Sequence, residues 1–187
     1  MATKASLIAF LLAVSAVSQG HAASLFPNPV YGLGFGGFGP LSIAPGDFDA
    51  DGREDLLISG SSVDLYLGLG DGTLGPATRV LDHGGPLAKG DFDADGRPDV
   101  VAGGTLLLGR GDGTFAASMI PGAGESASSV ATGDFNADGH LDFVMARSSS
   151  NNRLGVFLGR GDGSFDPPNN ITGDTPFNSV AIGDFNG

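Results

Sequence analysis

Two short motifs recur along this chain of 187 residues in one common register, which limits the fold to a repeat architecture. The first motif begins with Gly-Asp-Phe and continues as an acidic segment, and its first aspartate stands at residues 47, 91, 134 and 184. The copies are therefore 44, 43 and 50 residues apart. The second motif contains Gly-Asp-Gly and occupies residues 65–74, 106–115 and 156–165. Because two independent motifs keep the same spacing, the sequence predicts tandem copies of one structural unit.

Each copy is predicted to contain four short β-strands. Apolar stretches flank every acidic segment, and turn residues bound them, which is typical of strands that are too short to be helices. The third strand ends at a Leu-Gly pair, and the Gly-Asp-Gly turn supplies positive φ angles for a hairpin into the fourth strand. Residues 148–152 form a polar insertion that lengthens the last full copy. The flanking strands are predicted at residues 41–44, 129–132 and 179–182 before the Gly-Asp-Phe motif, and at residues 55–58, 99–102 and 142–146 after the acidic segment.

Four strands repeated every 43 to 50 residues predict an all-β fold of β-propeller blades, each a four-stranded antiparallel sheet. Residues 24–40 are interpreted as a degenerate half-repeat, because Leu-Gly-Phe-Gly-Gly-Phe-Gly-Pro near their end resembles the second motif with residues lost. We therefore expect about three and a half blades, an incomplete propeller that is a fragment or needs further blades or chains to cover its open edges. The predicted repeats are residues 47–90, 91–133 and 134–183, with a truncated fourth from residue 184.

The N-terminus has the layout of a secretory signal peptide. Lys4 precedes an apolar run over residues 7–17, and small and polar residues follow it. We expect cleavage after Ala22 or Ala23, which makes residues 1–23 the signal peptide and the mature chain secreted, extracellular or periplasmic. A retained membrane anchor is the alternative, but this run is shorter than the ~20 apolar residues that span a bilayer. Because the chain has no cysteine, an exported product needs stabilisation other than disulfides.

The charge of the chain argues against nucleic acid as a partner. The sequence has 21 acidic residues and 9 lysines and arginines, which gives a net charge of −12 and the wrong sign for binding phosphate backbones. Only Glu54 and Glu125 among the acidic residues are glutamates. The excess of aspartate indicates turns and the binding of hard cations rather than helical surfaces.

The acidic segments have the spacing of a cation-binding loop. Positions 1, 3, 5 and 9 carry side-chain oxygens that can converge on one ion, position 7 can add its backbone carbonyl, and a glycine at position 6 permits the sharp turn. Ligand sets of oxygen alone favour Ca²⁺, so we predict one Ca²⁺ per complete loop. The alternative is a series of Asx turns without metal. The predicted ligands are Asp47, Asp49, Asp51, Arg53 and Asp55 in loop one, Asp91, Asp93, Asp95, Arg97 and Asp99 in loop two, and Asp134, Asn136, Asp138, His140 and Asp142 in loop three.

The same opening occurs in EF-hands, but an EF-hand needs a glutamate at position 12 and a helix on each side. Ile58, Ala102 and Met145 occupy that position and lie in apolar runs. The acidic loop together with the Gly-Asp-Gly hairpin instead resembles the FG-GAP repeat of VCBS-repeat-containing proteins, which are related to the integrin α-subunit propeller. The resemblance covers residues 41–187. It implies a calcium-decorated propeller, usually of seven blades, with the acidic loop between the first two strands of each blade.

No catalytic constellation is visible, because His83 and His140 are isolated and no nucleophile stands beside a base. The Arg-Gly-Asp tripeptides at residues 110–112 and 160–162 lie in the repeated turn and are interpreted as turn residues. The function predicted is a secreted, calcium-stabilised, non-catalytic binding, adhesion or structural module that engages a surface protein or a polysaccharide. The alternative is a fragment or accessory domain of an exported hydrolase or lyase. The aromatic residues predicted to pack between blades are Phe48, Phe92, Phe135, Phe185, Phe115 and Phe165.

Overall fold

The computed structural model describes residues 42–124, 127–147, 153–175 and 177–183, and these residues form strands, turns and loops without a helix. Within these ranges there is accordingly no helix that could cross a membrane. The predicted signal peptide, the half-repeat, the polar insertion and the start of the fourth repeat lie outside the described residues. The strands are β1 (Ser42–Gly46), β2 (Asp55–Ser59), β3 (Val63–Tyr66), β4 (Thr78–Leu81), β5 (Leu87–Gly90), β6 (Asp99–Ala102), β7 (Thr105–Gly109), β8 (Phe115–Met119), β9 (Ala127–Gly133), β10 (Asp142–Arg147), β11 (Arg153–Phe157) and β12 (Asn169–Thr172).

The strands pair in chain order into three antiparallel sheets of four strands, β1–β4, β5–β8 and β9–β12. We call these sheets blades one, two and three. β5 packs beside β1, and β9 packs beside β5, so the first strands of successive blades are neighbours. The described blades form an open array and not a closed ring. This arrangement confirms the prediction of an all-β fold built from propeller blades.

The second strand of each blade is buried on both faces, which explains its continuous apolar sequence. Every residue of β2 and of β6 is buried, and so are the first five residues of β10. Successive residues of a strand point to opposite faces, so Leu57 packs toward blade two while Leu56 packs on the other face of blade one. The last strands are at the outer edge, and all four residues of β12 are exposed.

Two hydrophobic clusters join the three blades. The Phe48 ring lies 5.5 Å from the Phe115 ring between blades one and two, and the Phe92 ring lies 5.7 Å from the Phe165 ring between blades two and three. This confirms the prediction that these four aromatic residues pack between blades. The first cluster includes Phe48, Leu57, Val63, Leu65, Val100, Ala102 and Leu107, and the second includes Phe92, Val101, Leu106, Phe143, Met145 and Phe157.

Two expectations fail at the far side of blade three. Phe135 was expected in the core, but it is 39% exposed, because no further hairpin covers it within the described part of the chain. Phe185 lies outside the described residues. The segment 179–182 does not form the predicted strand, because among the described residues no backbone ladder pairs with it. Side-chain contacts hold it instead: the Val180 amide donates to the Ser129 hydroxyl at 3.2 Å.

Candidate metal-binding loops

The three acidic loops lie at the same end of the strands in all three blades. Each loop connects the first strand of a blade to the second, between β1 and β2, β5 and β6, and β9 and β10. The Gly-Asp-Gly hairpins connect the third strand to the fourth. In an antiparallel sheet whose strands pair in chain order, these two connections lie at the same end of the strands. We call this end of the blades the acidic end. The sheet topology therefore brings both repeated motifs together, although they are far apart in sequence.

The backbone of each loop makes a left-handed turn at its fourth position. Ala50, Ala94 and Ala137 all have a φ of 58°, which is uncommon for a residue other than glycine. In loop one this turn directs two amides at the carboxylate of position 1: the Asp51 amide donates to Asp47 at 3.1 Å and the Gly52 amide donates to it at 2.9 Å. Loops two and three repeat both hydrogen bonds. The carboxylate of position 1 is therefore held in one orientation in every loop.

The aspartate at position 9 is buried at the start of the second strand. Asp55, Asp99 and Asp142 are each 0% exposed. The Asp99 carboxylate accepts the Phe92 amide at 2.8 Å and the Gly109 amide at 2.8 Å, and its two counterparts accept the equivalent amides. This residue therefore ties the acidic loop to the end of the third strand.

Burial raises the pKa of two of these carboxyls. Desolvation raises the pKa of Asp99 to about 6, although its two backbone hydrogen bonds oppose the shift. Desolvation likewise raises the pKa of Asp55. Three carboxylates in one loop also repel each other, and for Asp99 the charges of Asp93 and Asp95 add to the increase in pKa. A cation at this point would stabilise the ionised form of all three groups.

The structure brings together three of the predicted side-chain ligands in each of the first two loops. Carboxylate oxygens of Asp47, Asp49 and Asp55 lie within 4.8 Å of one another, and so do those of Asp91, Asp93 and Asp99. In the third loop the corresponding residues are Asp134, Asn136 and Asp142, and an amide replaces the middle carboxylate.

The residues at positions 5 and 7, which are also predicted ligands, contact each other. The Asp51 carboxylate accepts the Arg53 amide at 2.8 Å and the Arg53 guanidinium at 3.0 Å, and Asp95 accepts the same two groups of Arg97. In loop three the Asp138 carboxylate accepts the His140 amide at 2.8 Å and the Asn136 side-chain amide at 2.8 Å. Position 5 thus accepts hydrogen bonds from its own loop, whereas in loops one and two the carboxylates of positions 1, 3 and 9 converge.

Sequence reasoning missed the role of the glycine at or just after the end of each third strand. A Cβ at Gly68, Gly109 or Gly159 would collide with the backbone carbonyl of the residue that precedes the buried aspartate. Each of these glycines also donates its amide to that aspartate. The Leu-Gly pairs that identify the second motif were the available signal. The glycine is required because loop and hairpin backbones approach each other closely here.

A comparison with protein-family models agrees with the repeat pattern. A family model described as FG-GAP-like repeat matches three times, at residues 47–102, 91–145 and 134–187, and each match begins at the first aspartate of an acidic loop. A solved lectin of Agrocybe aegerita, described as recognising non-reducing terminal N-acetylglucosamine, is similar with a TM-score of 0.48 and 23% identity. That match covers 71% of this chain and 38% of the lectin chain. No curated protein matches the sequence.

Proposed function

The chain belongs to the family of FG-GAP-like repeat proteins, and we propose that it is a secreted β-propeller repeat protein that binds Ca²⁺ at its acidic end. Its proposed role is that of a non-catalytic binding, adhesion or structural module. The observation that carries the proposal is the convergence of three carboxylates in each of loops one and two. The N-terminal signal pattern supports secretion. A surface protein or a polysaccharide is the partner that we propose for such an exported module.

The donor set of the loops suits calcium. Asp47, Asp49 and Asp55 would hold the ion in loop one, and their oxygens are the hard ligands that Ca²⁺ prefers. Loop two offers the same three positions. Bound Ca²⁺ would supply two positive charges that offset the repulsion between the carboxylates. The ion would also join the two ends of each loop. The role proposed for the ion is therefore structural, in place of the disulfides that this chain lacks.

A calcium titration of the full chain, followed by NMR, tests the proposal. The backbone amides of Gly52, Gly96 and Gly139 stand at position 6 of the three loops, so each reports on one loop. We expect the Gly52 and Gly96 signals to shift and saturate as Ca²⁺ is added, because the adjacent carboxylates change from repelling each other to sharing a cation. The matched control carries Asp47→Asn and Asp49→Asn. In this variant the Gly52 signal should no longer shift with Ca²⁺, whereas the Gly96 signal should shift as in the wild type. Unchanged spectra in millimolar Ca²⁺ would refute the calcium proposal.

Loop three is expected to bind Ca²⁺ more weakly than the other two loops. Neutral Asn136 stands where they have a carboxylate, and its side-chain amide donates to Asp138 at 2.8 Å. Loss of one anionic ligand reduces the attraction for a dication by roughly 1–3 kcal/mol, or about fivefold to 150-fold in Kd. In the same titration the Gly139 signal should saturate last. Saturation of Gly139 together with Gly52 and Gly96, or before them, would show that this prediction is wrong.

A further inference from the structure

The phenylalanine between the first two predicted ligands of loop one is anchored to the next blade. Phe48 stands between Asp47 and Asp49, and its ring is 1% exposed. Its carbonyl accepts the amide of Gly113, at 2.9 Å, from the hairpin of blade two. Its ring packs against Phe115 of the same hairpin, with the centroids 5.5 Å apart. A ligand-bearing segment of one blade is therefore held by the Gly-Asp-Gly hairpin of another.

Loop two repeats this arrangement one blade further on. Phe92 stands between Asp91 and Asp93, and its carbonyl accepts the Gly163 amide of blade three at 3.0 Å. Its ring lies 5.7 Å from that of Phe165. The hairpin glycine also lies directly against the ligand at position 3, because a Cβ at Gly163 would stand 3.6 Å from the Cβ of Asp93. The contact between hairpin and preceding loop is thus a repeated feature of the fold.

The two ends of the described array lack this contact. Phe135 of loop three is 39% exposed, and within the described ranges no hairpin donates to its carbonyl. At the other end, Gly72 in the hairpin of blade one occupies the position of Gly113, with a φ of 88° against 77°. Among the described residues, a Cβ at Gly72 would meet no atom within 4 Å. The described residues therefore include both the supported loops and, in blade one, a hairpin with no acidic loop of a preceding blade among them.

We infer that each Gly-Asp-Gly hairpin positions the calcium ligands of the preceding blade, so that Gly113 and Phe115 of blade two set the affinity of loop one. The inference rests on the calcium binding proposed above. A loop held in its binding conformation loses less conformational entropy when the ion binds, which raises affinity without a new ligand. By thermodynamic reciprocity, Ca²⁺ in loop one strengthens the contact between blades one and two by the same factor. Calcium then acts as a link between blades as well as within a loop.

The test is the Gly113→Ala variant of the full chain, with Gly72→Ala as its matched control. Both substitutions place Ala at a positive φ in the same turn, but only Gly113 touches loop one. We expect Gly113→Ala to raise the Kd of loop one, read from the Gly52 amide, by about fivefold or more. Loop two, read from Gly96, should keep its wild-type Kd in this variant. Gly72→Ala should leave both constants unchanged.

A second pair of variants keeps the test decisive if Gly113→Ala does not fold. Phe115→Leu introduces the residue that hairpin one has at this position, Leu74, and should weaken loop one alone. Phe165→Leu should weaken loop two alone. Wild-type affinity in both leucine variants, or an equal loss at both loops in each of them, would overturn the inference while leaving calcium binding intact. No calcium response in the wild-type chain would overturn the proposed function itself, and the inference with it.

Discussion

Removal of calcium is expected to lower the free energy of unfolding by about 5 kcal/mol. An ion bound only by the folded state stabilises it by about 2.7 kcal/mol at 100 times its Kd, and loops one and two each bring three carboxylates within 4.8 Å. The free energy of unfolding of a domain is about 5–15 kcal/mol, so removal of calcium would take away a large part of the stability. Unfolding curves of the full chain, recorded with Ca²⁺ at 100 times its Kd and with a chelator, measure the difference.

The matched control for this comparison carries Asp47→Asn, Asp49→Asn, Asp91→Asn and Asp93→Asn. These side chains keep their size but lose the charge that would attract the ion. The control chain should unfold at nearly the same temperature with and without Ca²⁺, apart from the small contribution of loop three. An identical unfolding temperature of the wild-type chain in both conditions would mean that the loops are Asx turns that need no metal.

The sequence predicted the strand pattern well wherever the signal was local. β6 occupies residues 99–102, as expected, and the acidic loops join the first two strands of every blade. These features follow from a short apolar run beside a turn, and neighbouring residues determine both. The fourth strands were harder to place. β8 starts at Phe115 directly after its hairpin, whereas β4 starts only at Thr78, since Gly68 and Leu74 form an isolated bridge in between.

Within the loops, the spacing predicted more than the structure brings together. Asp47, Asp49 and Asp55 converge, whereas the Asp51 carboxylate accepts the Arg53 guanidinium, and a partner two residues away cannot be inferred from a ligand pattern. The positive φ of Ala50 was also beyond prediction, because alanine has no intrinsic preference for that region. The other loops repeat both features. Strained backbone of this kind is concentrated at ligand-binding loops, which is consistent with the proposed role.

Whether a given copy of the repeated phenylalanine is buried between blades could not be predicted from its own repeat. Phe48 and Phe135 occupy the same motif position, yet one is buried and the other is 39% exposed, because only one has a hairpin of a following blade above it. Burial in a repeat fold depends on the neighbouring unit as well as on the unit itself. The same dependence lets Gly113, 64 residues after Asp49 in the sequence, lie against that ligand.

The Asp99→Ala substitution is expected to destabilise the chain by about 2–6 kcal/mol even without calcium. It removes a fully buried carboxylate that accepts the Phe92 and Gly109 amides, each at 2.8 Å. Two buried N–H groups would then have no acceptor, and each costs about 1–3 kcal/mol. The loss is offset in part because the carboxyl itself is costly to bury, as its raised pKa of about 6 shows. Urea unfolding in the presence of a chelator gives the value.

Asp95→Ala is the matched control, because it removes a carboxylate of the same loop that is partly exposed and accepts hydrogen bonds from Arg97. The free energy of unfolding of this variant should fall by less than about 1 kcal/mol, since water can replace an exposed acceptor. Equal losses in the two variants, or a loss in Asp99→Ala that appears only when Ca²⁺ is present, would contradict the structural role of Asp99. The expected difference means that this aspartate first fastens the loop to the third strand through two backbone amides. The calcium ligation that we propose for Asp99 would then be a second use of a carboxylate that the fold already requires.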